Sequence, residues 1–117
     1  KDLDRERAAE VAKVSAAWLP VLDTLELALA HAGSDPQAVV EGVKAIRDQA
    51  VQVLSRFGFE RHDEVGVPFS PELHEVVSVV THPDLPSGTV IEVLRPGYGE
   101  NGQQLRPATV VVSRPEE

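Results

Sequence analysis

Two apolar, β-type runs, residues 89–94 and 105–112, stand on either side of Asn101-Gly102. Both turn residues tolerate positive φ, so the dipeptide between such runs reads as a β-hairpin. An isolated hairpin is marginally stable in water and must pack on something. That requirement organises the reading of the rest of the chain.

The residues before the hairpin continue the same period. Residues 59–62 are a short strand candidate, and 63–71 form a loop carrying Gly66, Pro68 and Pro71. Residues 74–81 read as a strand because Val76, Val77, Val79 and Val80 are β-branched. The connection 82–88 holds two prolines. Pro107, inside the second hairpin arm, predicts an edge position or a bulge, since proline cannot donate to a ladder. Residues 114–117 read as a frayed tail. The second half, 59–117, is therefore expected to be a small, mainly antiparallel β-domain.

The first half, 1–58, follows a helical period. Val11, Val14, Trp18, Val21 and Leu25 recur at spacings of three and four. Leu19, Leu22 and Leu29 widen the stripe, which suits a bundle better than a two-stranded coil. Pro20 interrupts this helix, predicted over 2–32. Either the helix kinks there, or a new one starts with Pro20 in its first turn; the unbroken apolar phase favours the kink. Gly33 can take a left-handed cap. Asp35 then caps a second helix, 36–57, with Pro36 at its first position. In that helix Val39, Val43, Ile46, Ala50, Val53 and Phe57 repeat the spacing, and Gly58 stops it. Gly42 in mid-helix suggests close approach of a neighbour. A lone helical hairpin leaves wide stripes exposed, so a second copy completing a four-helix bundle is expected. Its core would be Val14, Trp18, Val21, Leu25, Val43, Ile46 and Val53. The alternative is that the helices cover the β-part of the same chain. The fold class expected is α+β.

Composition narrows the function. The chain has no cysteine, which removes disulfides and thiol chemistry and is compatible with a reducing cytoplasm. Its net charge of −8 argues against nucleic acid and anionic membrane surfaces as partners. No apolar run approaches the ~20 residues of a membrane span, and no signal peptide is evident. The sequence starts at Lys1 already in helical pattern, so a natural N-terminus further upstream is expected.

Constellations that carry chemistry are missing. Gly97-x-Gly99 is followed by Gly102 and lies within the hairpin rather than between strand and helix, so it is no phosphate loop. His31, His62, His74 and His82 have no zinc spacing. His74 with Glu72 and Glu75 can be drawn as an acid–base group; a strand-start histidine bonding its loop is the simpler reading. His82-Pro83-Asp84 reads as a turn. The charges of helix one, Asp2, Asp4, Glu6 and Glu10 among Lys1, Arg5, Arg7 and Lys13, read first as a solvated face and second as a partner-facing stripe.

The wording of the hairpin resembles a known family. Gly97-Tyr98, Asn101-Gly102 and Leu105-Arg106-Pro107-Ala108 followed by valines are similar to the C-terminal signature of GrpE, the nucleotide exchange factor of the chaperone DnaK. Leu19-Pro20-Val21-Leu22-Asp23-Thr24-Leu25-Glu26, Glu41-Gly42-Val43, Arg56-Phe57-Gly58 and Pro71-Glu72-Leu73-His74-Glu75 stand in GrpE order and spacing. The resemblance runs from about Leu19 to Val112.

The resemblance implies a cytoplasmic homodimer in which a long paired helix leads into a four-helix bundle and each subunit carries a β-wing. It implies a co-chaperone of the stress response whose partner is a DnaK-type ATPase. The factor opens the nucleotide-binding domain so that ADP leaves, and it needs no catalytic residue, cofactor, metal or small-molecule substrate of its own. On the wing, the family's apolar contact positions match Phe69, Leu94 and Val112. Arg106 fits its own slot, whereas Gln103 stands where an arginine usually follows the turn. On the helix, Arg5 falls at a basic contact position, and Leu27 and Ala30 replace charged ones. Two other readings remain: a dimerisation module presenting its β-domain to a different partner, and a small hydrolase built on His74, Glu72 and Glu75.

Overall fold

The computed structural model describes residues 1–33, 35–100 and 102–114. The chain divides between Phe57 and Gly58 into two compact units.

The first unit is helical. Helix α1 spans Asp2–Ala17, α2 spans Leu19–Ala30 and α3 spans Pro36–Arg56. Between α1 and α2 only Trp18 interrupts the assignment, and its backbone stays right-handed helical (φ −86°, ψ −12°). Pro20 falls in the first turn of α2, where its missing N–H costs least. The helix is therefore bent at Trp18, and both sequence alternatives meet in one local geometry. At the end of α2 Gly33 does not adopt positive φ. The last turn closes instead through His31 N–H to the Ala28 carbonyl (3.3 Å) and Ala32 N–H to the Leu29 carbonyl (3.3 Å). These tightened bonds satisfy the terminal carbonyls, so no left-handed residue is required there. Asp35 caps α3 as expected, its carboxylate accepting from Gln37 N–H at 3.1 Å. Gly58 (φ +96°) follows the end of α3.

The helical unit buries little by itself. Val53 is its one buried hydrophobic among the described residues, at 4% exposure. Trp18, Val21 and Ile46 are half-buried. Val14, Leu25 and Val43 are exposed, Val43 by 57%.

Among the described residues the second unit holds five strands: β1 Arg61–His62, β2 His74–Thr81, β3 Val90–Arg95, β4 Gly97–Tyr98 and β5 Ala108–Arg114. β3 and β5 pair antiparallel, as the hairpin reading requires. β1 and β4 also pair antiparallel. β2, however, joins β5 in parallel, from His74↔Ala108 to Thr81↔Arg114. The three-stranded sheet is thus mixed, in the order β2-β5-β3.

The hairpin itself is divided. Leu105 and Arg106 bond to Tyr98 (Leu105 N–H to Tyr98 carbonyl 2.8 Å, Tyr98 N–H to Arg106 carbonyl 3.0 Å), while β3 meets β5 further out. Pro96 and Pro107 mark the step between the two pairings; neither can donate to a ladder. Pro107 accordingly stands just before the central strand rather than on an edge or in a bulge. Gly102 has φ +83°, consistent with a turn, whereas Asn101 lies outside the described residues. So do Ser34 and the tail residues 115–117, although Arg114 belongs to β5.

The core of this unit is aliphatic: Val90, Ala108, Val110 and Val112, with Val67, Phe69 and Val93 packed against them. One polar knot is buried beside it. Ser113 Oγ accepts from Thr89 N–H (3.0 Å) and donates to the Pro86 carbonyl (2.7 Å), and Thr89 Oγ1 donates to the same carbonyl. Buried hydroxyls with partners avoid the desolvation penalty of unsatisfied ones.

Candidate partner-binding site

The residues singled out in the sequence divide by burial. β3 pairs with β5 through two register irregularities, so its side chains do not follow a strict alternation. Val93 turns inward onto the core, and Leu94 turns outward with 54% exposure. A large aliphatic side chain held out on a rigid strand is suited to a partner's apolar pocket. Phe69 lies in the loop before β2, half-buried against the core, its ring centroid 5.9 Å from that of His74. Val112 is buried at 6% exposure and pairs with Val90 of β3. Its position gives it a packing role beneath the surface.

Arg106 and Gln103 behave differently. Gln103 is exposed in the turn region. Arg106 is half-buried: its Nε donates to the Pro96 carbonyl (2.9 Å), and its guanidinium lies 5.5 Å from the centre of the Tyr98 ring. Arg61 reaches the same tyrosine, donating to its hydroxyl at 2.6 Å while its Nε donates to Asp63 (2.8 Å). The Asp63 carboxylate and the Tyr98 hydroxyl hold the Arg61 guanidinium above its already high ordinary value. Tyr98 is thus the anchor of two arginines. The sequence singled out Arg106 but not its cluster with Tyr98 and Arg61, which joins residues far apart in the chain. The two glycines that flank Tyr98 have a packing reason. A Cβ at Gly97 would overlap the Ala108 amide nitrogen, and one at Gly99 (φ +87°) the Gln103 carbonyl oxygen.

Arg5, on α1 of the helical unit, is exposed. Among the described residues no hydrogen bond or ion pair links His74 to Glu72 or Glu75. His74 Nδ1 instead accepts from Ser70 N–H at 2.9 Å, so in its neutral form the ring proton sits on Nε2. This is the strand-start histidine that bonds its loop. Burial, and then the charge of nearby His62, push the His74 pKa down. Both imidazoles line a cleft of about 130 Å³ with Glu64, Val67, Pro68 and Leu73, and His62 Nε2 lies 3.2 Å from a Glu100 carboxylate oxygen. Among the described residues no group of three His, Asp or Glu side chains is placed to hold a metal ion, and no helix is long and apolar enough to cross a membrane.

Comparison with known proteins bears on both units. The family model described as GrpE matches residues 1–114. The chain is 61% identical over 116 residues to "Protein GrpE 2" of Streptomyces avermitilis, covering 99% of this chain and 57% of that protein. It is 38% identical over 117 residues to "Protein GrpE" of Pseudomonas putida, covering 97% of this chain and 64% of the relative. With "Protein GrpE" of Carboxydothermus hydrogenoformans the identity is 44% over 96 residues, covering 82% of this chain and 50% of the relative. The chain therefore spans between half and two-thirds of the length of these curated relatives.

Proposed function

The chain belongs to the GrpE family, and from this premise we propose that it is a nucleotide exchange factor, a cytoplasmic co-chaperone that binds the nucleotide-binding domain of a DnaK-type ATPase and opens it to release ADP. The observation that carries the reading is the family match over residues 1–114, which takes in both the helical unit and the β-unit. The mechanism is differential binding. A factor that grips the open domain more tightly than the closed, nucleotide-bound one shifts the population toward the open state. By linkage, nucleotide weakens the factor's grip by the same factor. No bond is made or broken by the factor, so the work is done by surface shape.

In this reading Leu94 is the apolar anchor of the β-unit, with Phe69, Arg106 and Gln103 as further contacts and Val112 supporting them from the core. Arg5 contributes a charge from the helical unit. The exposed apolar stripe that includes Val14, Leu25 and Val43 supports homodimerisation through the helices, since burying it removes large side chains from water at roughly 25 cal/mol per Å². Sedimentation equilibrium tests this part. The native chain is expected at twice its monomer mass, and Val43→Asp at the monomer mass; a native monomer throughout the micromolar range sinks it.

Exchange is tested by stopped-flow release of a fluorescent ADP analogue from DnaK. Release should accelerate and saturate with added chain, and Leu94→Asp should lose most of the acceleration while keeping the native melting temperature. An unchanged release rate with binding still visible by sedimentation would favour the reading of a docking module that presents its β-domain to another protein.

A further inference from the structure

Strand β2 has properties that exchange does not use. It is an edge of the three-stranded sheet, and among the described residues its only ladder partner is β5. Its neighbour β5 is buried along most of its length, and the free side of β3 is partly covered: Gly66 N–H bonds the Val90 carbonyl (2.7 Å), Val90 N–H the Val67 carbonyl (2.8 Å), and Pro68 bridges Thr89. Among the described residues β2 has no such cover. After His74, every residue of the strand is exposed. Val76, Val77, Val79 and Val80 are exposed by 37–50%, so the strand is open on both faces as well as along its outer edge.

An open edge of this kind is normally blunted by lysine, proline or inward charge, because its unpaired N–H and C=O groups template further strands. Residues 76–81 contain no charge and no proline. The parallel pairing makes the exposure more unusual, since parallel strands are ordinarily covered on both faces.

Charge indicates what fits there. Residues 58–117 carry ten carboxylate side chains against four arginines and no lysine. Two of the arginines, Arg61 and Arg106, are engaged around Tyr98. Arg114 reaches Thr81 at the C-terminal end of β2 (3.4 Å), while Glu72 and Glu75 stand at its N-terminal end. A second copy of this acidic unit would bring like charges together, which opposes association.

We propose that the outer edge of β2, residues 76–81, is a strand-addition site for an extended segment of a partner protein that alternates aliphatic with basic residues. Main-chain hydrogen bonds to the open edge supply affinity, the valines of one face receive the aliphatic side chains, and the acidic surroundings select Lys or Arg on the other.

The probe is a nine-residue, fluorescein-labelled peptide alternating valine with lysine and threonine, titrated with the full chain and followed by anisotropy. Saturable binding is expected. N-methylation of every second peptide nitrogen, Val79→Lys in the chain, and replacement of the peptide lysines by glutamate should each weaken it at least tenfold. Absence of saturable binding overturns the proposal, as does equal binding of the N-methylated peptide or of the Val79→Lys chain. Should Val79→Lys fail to fold, hydrogen exchange on the native chain decides: saturating peptide should protect amides within 76–81, and protection confined to other segments overturns the site. A peptide-free chain whose mass rises with concentration and falls back in Val79→Lys would make a second copy the occupant, and would equally overturn it. Val79 is not among the contacts assigned to exchange, so ADP release by Val79→Lys is expected to match the native rate.

Discussion

Gly42 of α3 meets Ala28 of α2 so closely that a Cβ built on the glycine would stand 3.1 Å from the alanine Cβ. Helix propensity alone would favour Gly42→Ala by about 1 kcal/mol. The neighbour, however, is a Cβ fixed to a helical backbone and cannot swing away. Gly42→Ala is therefore expected to lower stability by about 1 kcal/mol in urea denaturation, despite its propensity gain, because overpacking of this kind typically costs about 1–3 kcal/mol. Pairing it with Ala28→Gly should recover part of the loss. Additive losses in the double variant would show that the two residues do not couple.

Asp35 accepts a hydrogen bond from Gln37 N–H at the start of α3. Asp35→Ala should cost about 1 kcal/mol, and Asp35→Asn should cost much less, since either side chain offers the capping oxygen. Equal losses for both variants would remove the cap as the cause.

Gly97 packs where a side chain would overlap the Ala108 backbone. Ala108 begins the central strand and is fully buried. Gly97→Ala should therefore separate β4 from β5 and cost more than about 3 kcal/mol, in line with the larger effects of core disruption. The expected readout is loss of slow-exchanging amides in β3 and β5, with the helical amides retained. Protection unchanged in β5 would contradict it.

His74 titrates below the ordinary imidazole value in the folded chain, first because it is buried and second because His62 is near. The unfolded chain therefore binds more protons than the folded one between the two pKa values. Stability conferred by neutral His74 is complete above the unfolded value of about 6.5 and is lost as pH falls through that value toward the folded one. Protonation also places a proton on Nδ1, which accepts from Ser70 N–H. The native chain should lose stability between pH 7 and 5 more steeply than His74→Gln, measured by urea midpoints. Parallel slopes would exclude His74 as the source.

Much of this protein was legible from local pattern. The three/four spacing marked the helices, Asp35-Pro36 marked the start of α3, and the β-branched run marked β2, because each signal depends on neighbours a few residues away. The motifs around Gly97 and Leu105 also located the pairing of β3 with β5. Local pattern left Gly33 open, where the last helical turn closed on its own carbonyls. Nor does local pattern show that Val112 is buried, since a strand's period tells which residues share a face but not which face the rest of the sheet covers. The parallel course of β2 beside β5, the two arginines gathered on Tyr98 and the Gly42–Ala28 approach each join residues from different elements of the fold. Such placements depend on which strand or helix becomes the neighbour, and only packing of the whole unit decides that. The sequence by itself therefore determined the elements and the family; the tertiary structure decided which valines became core and which were left open along β2.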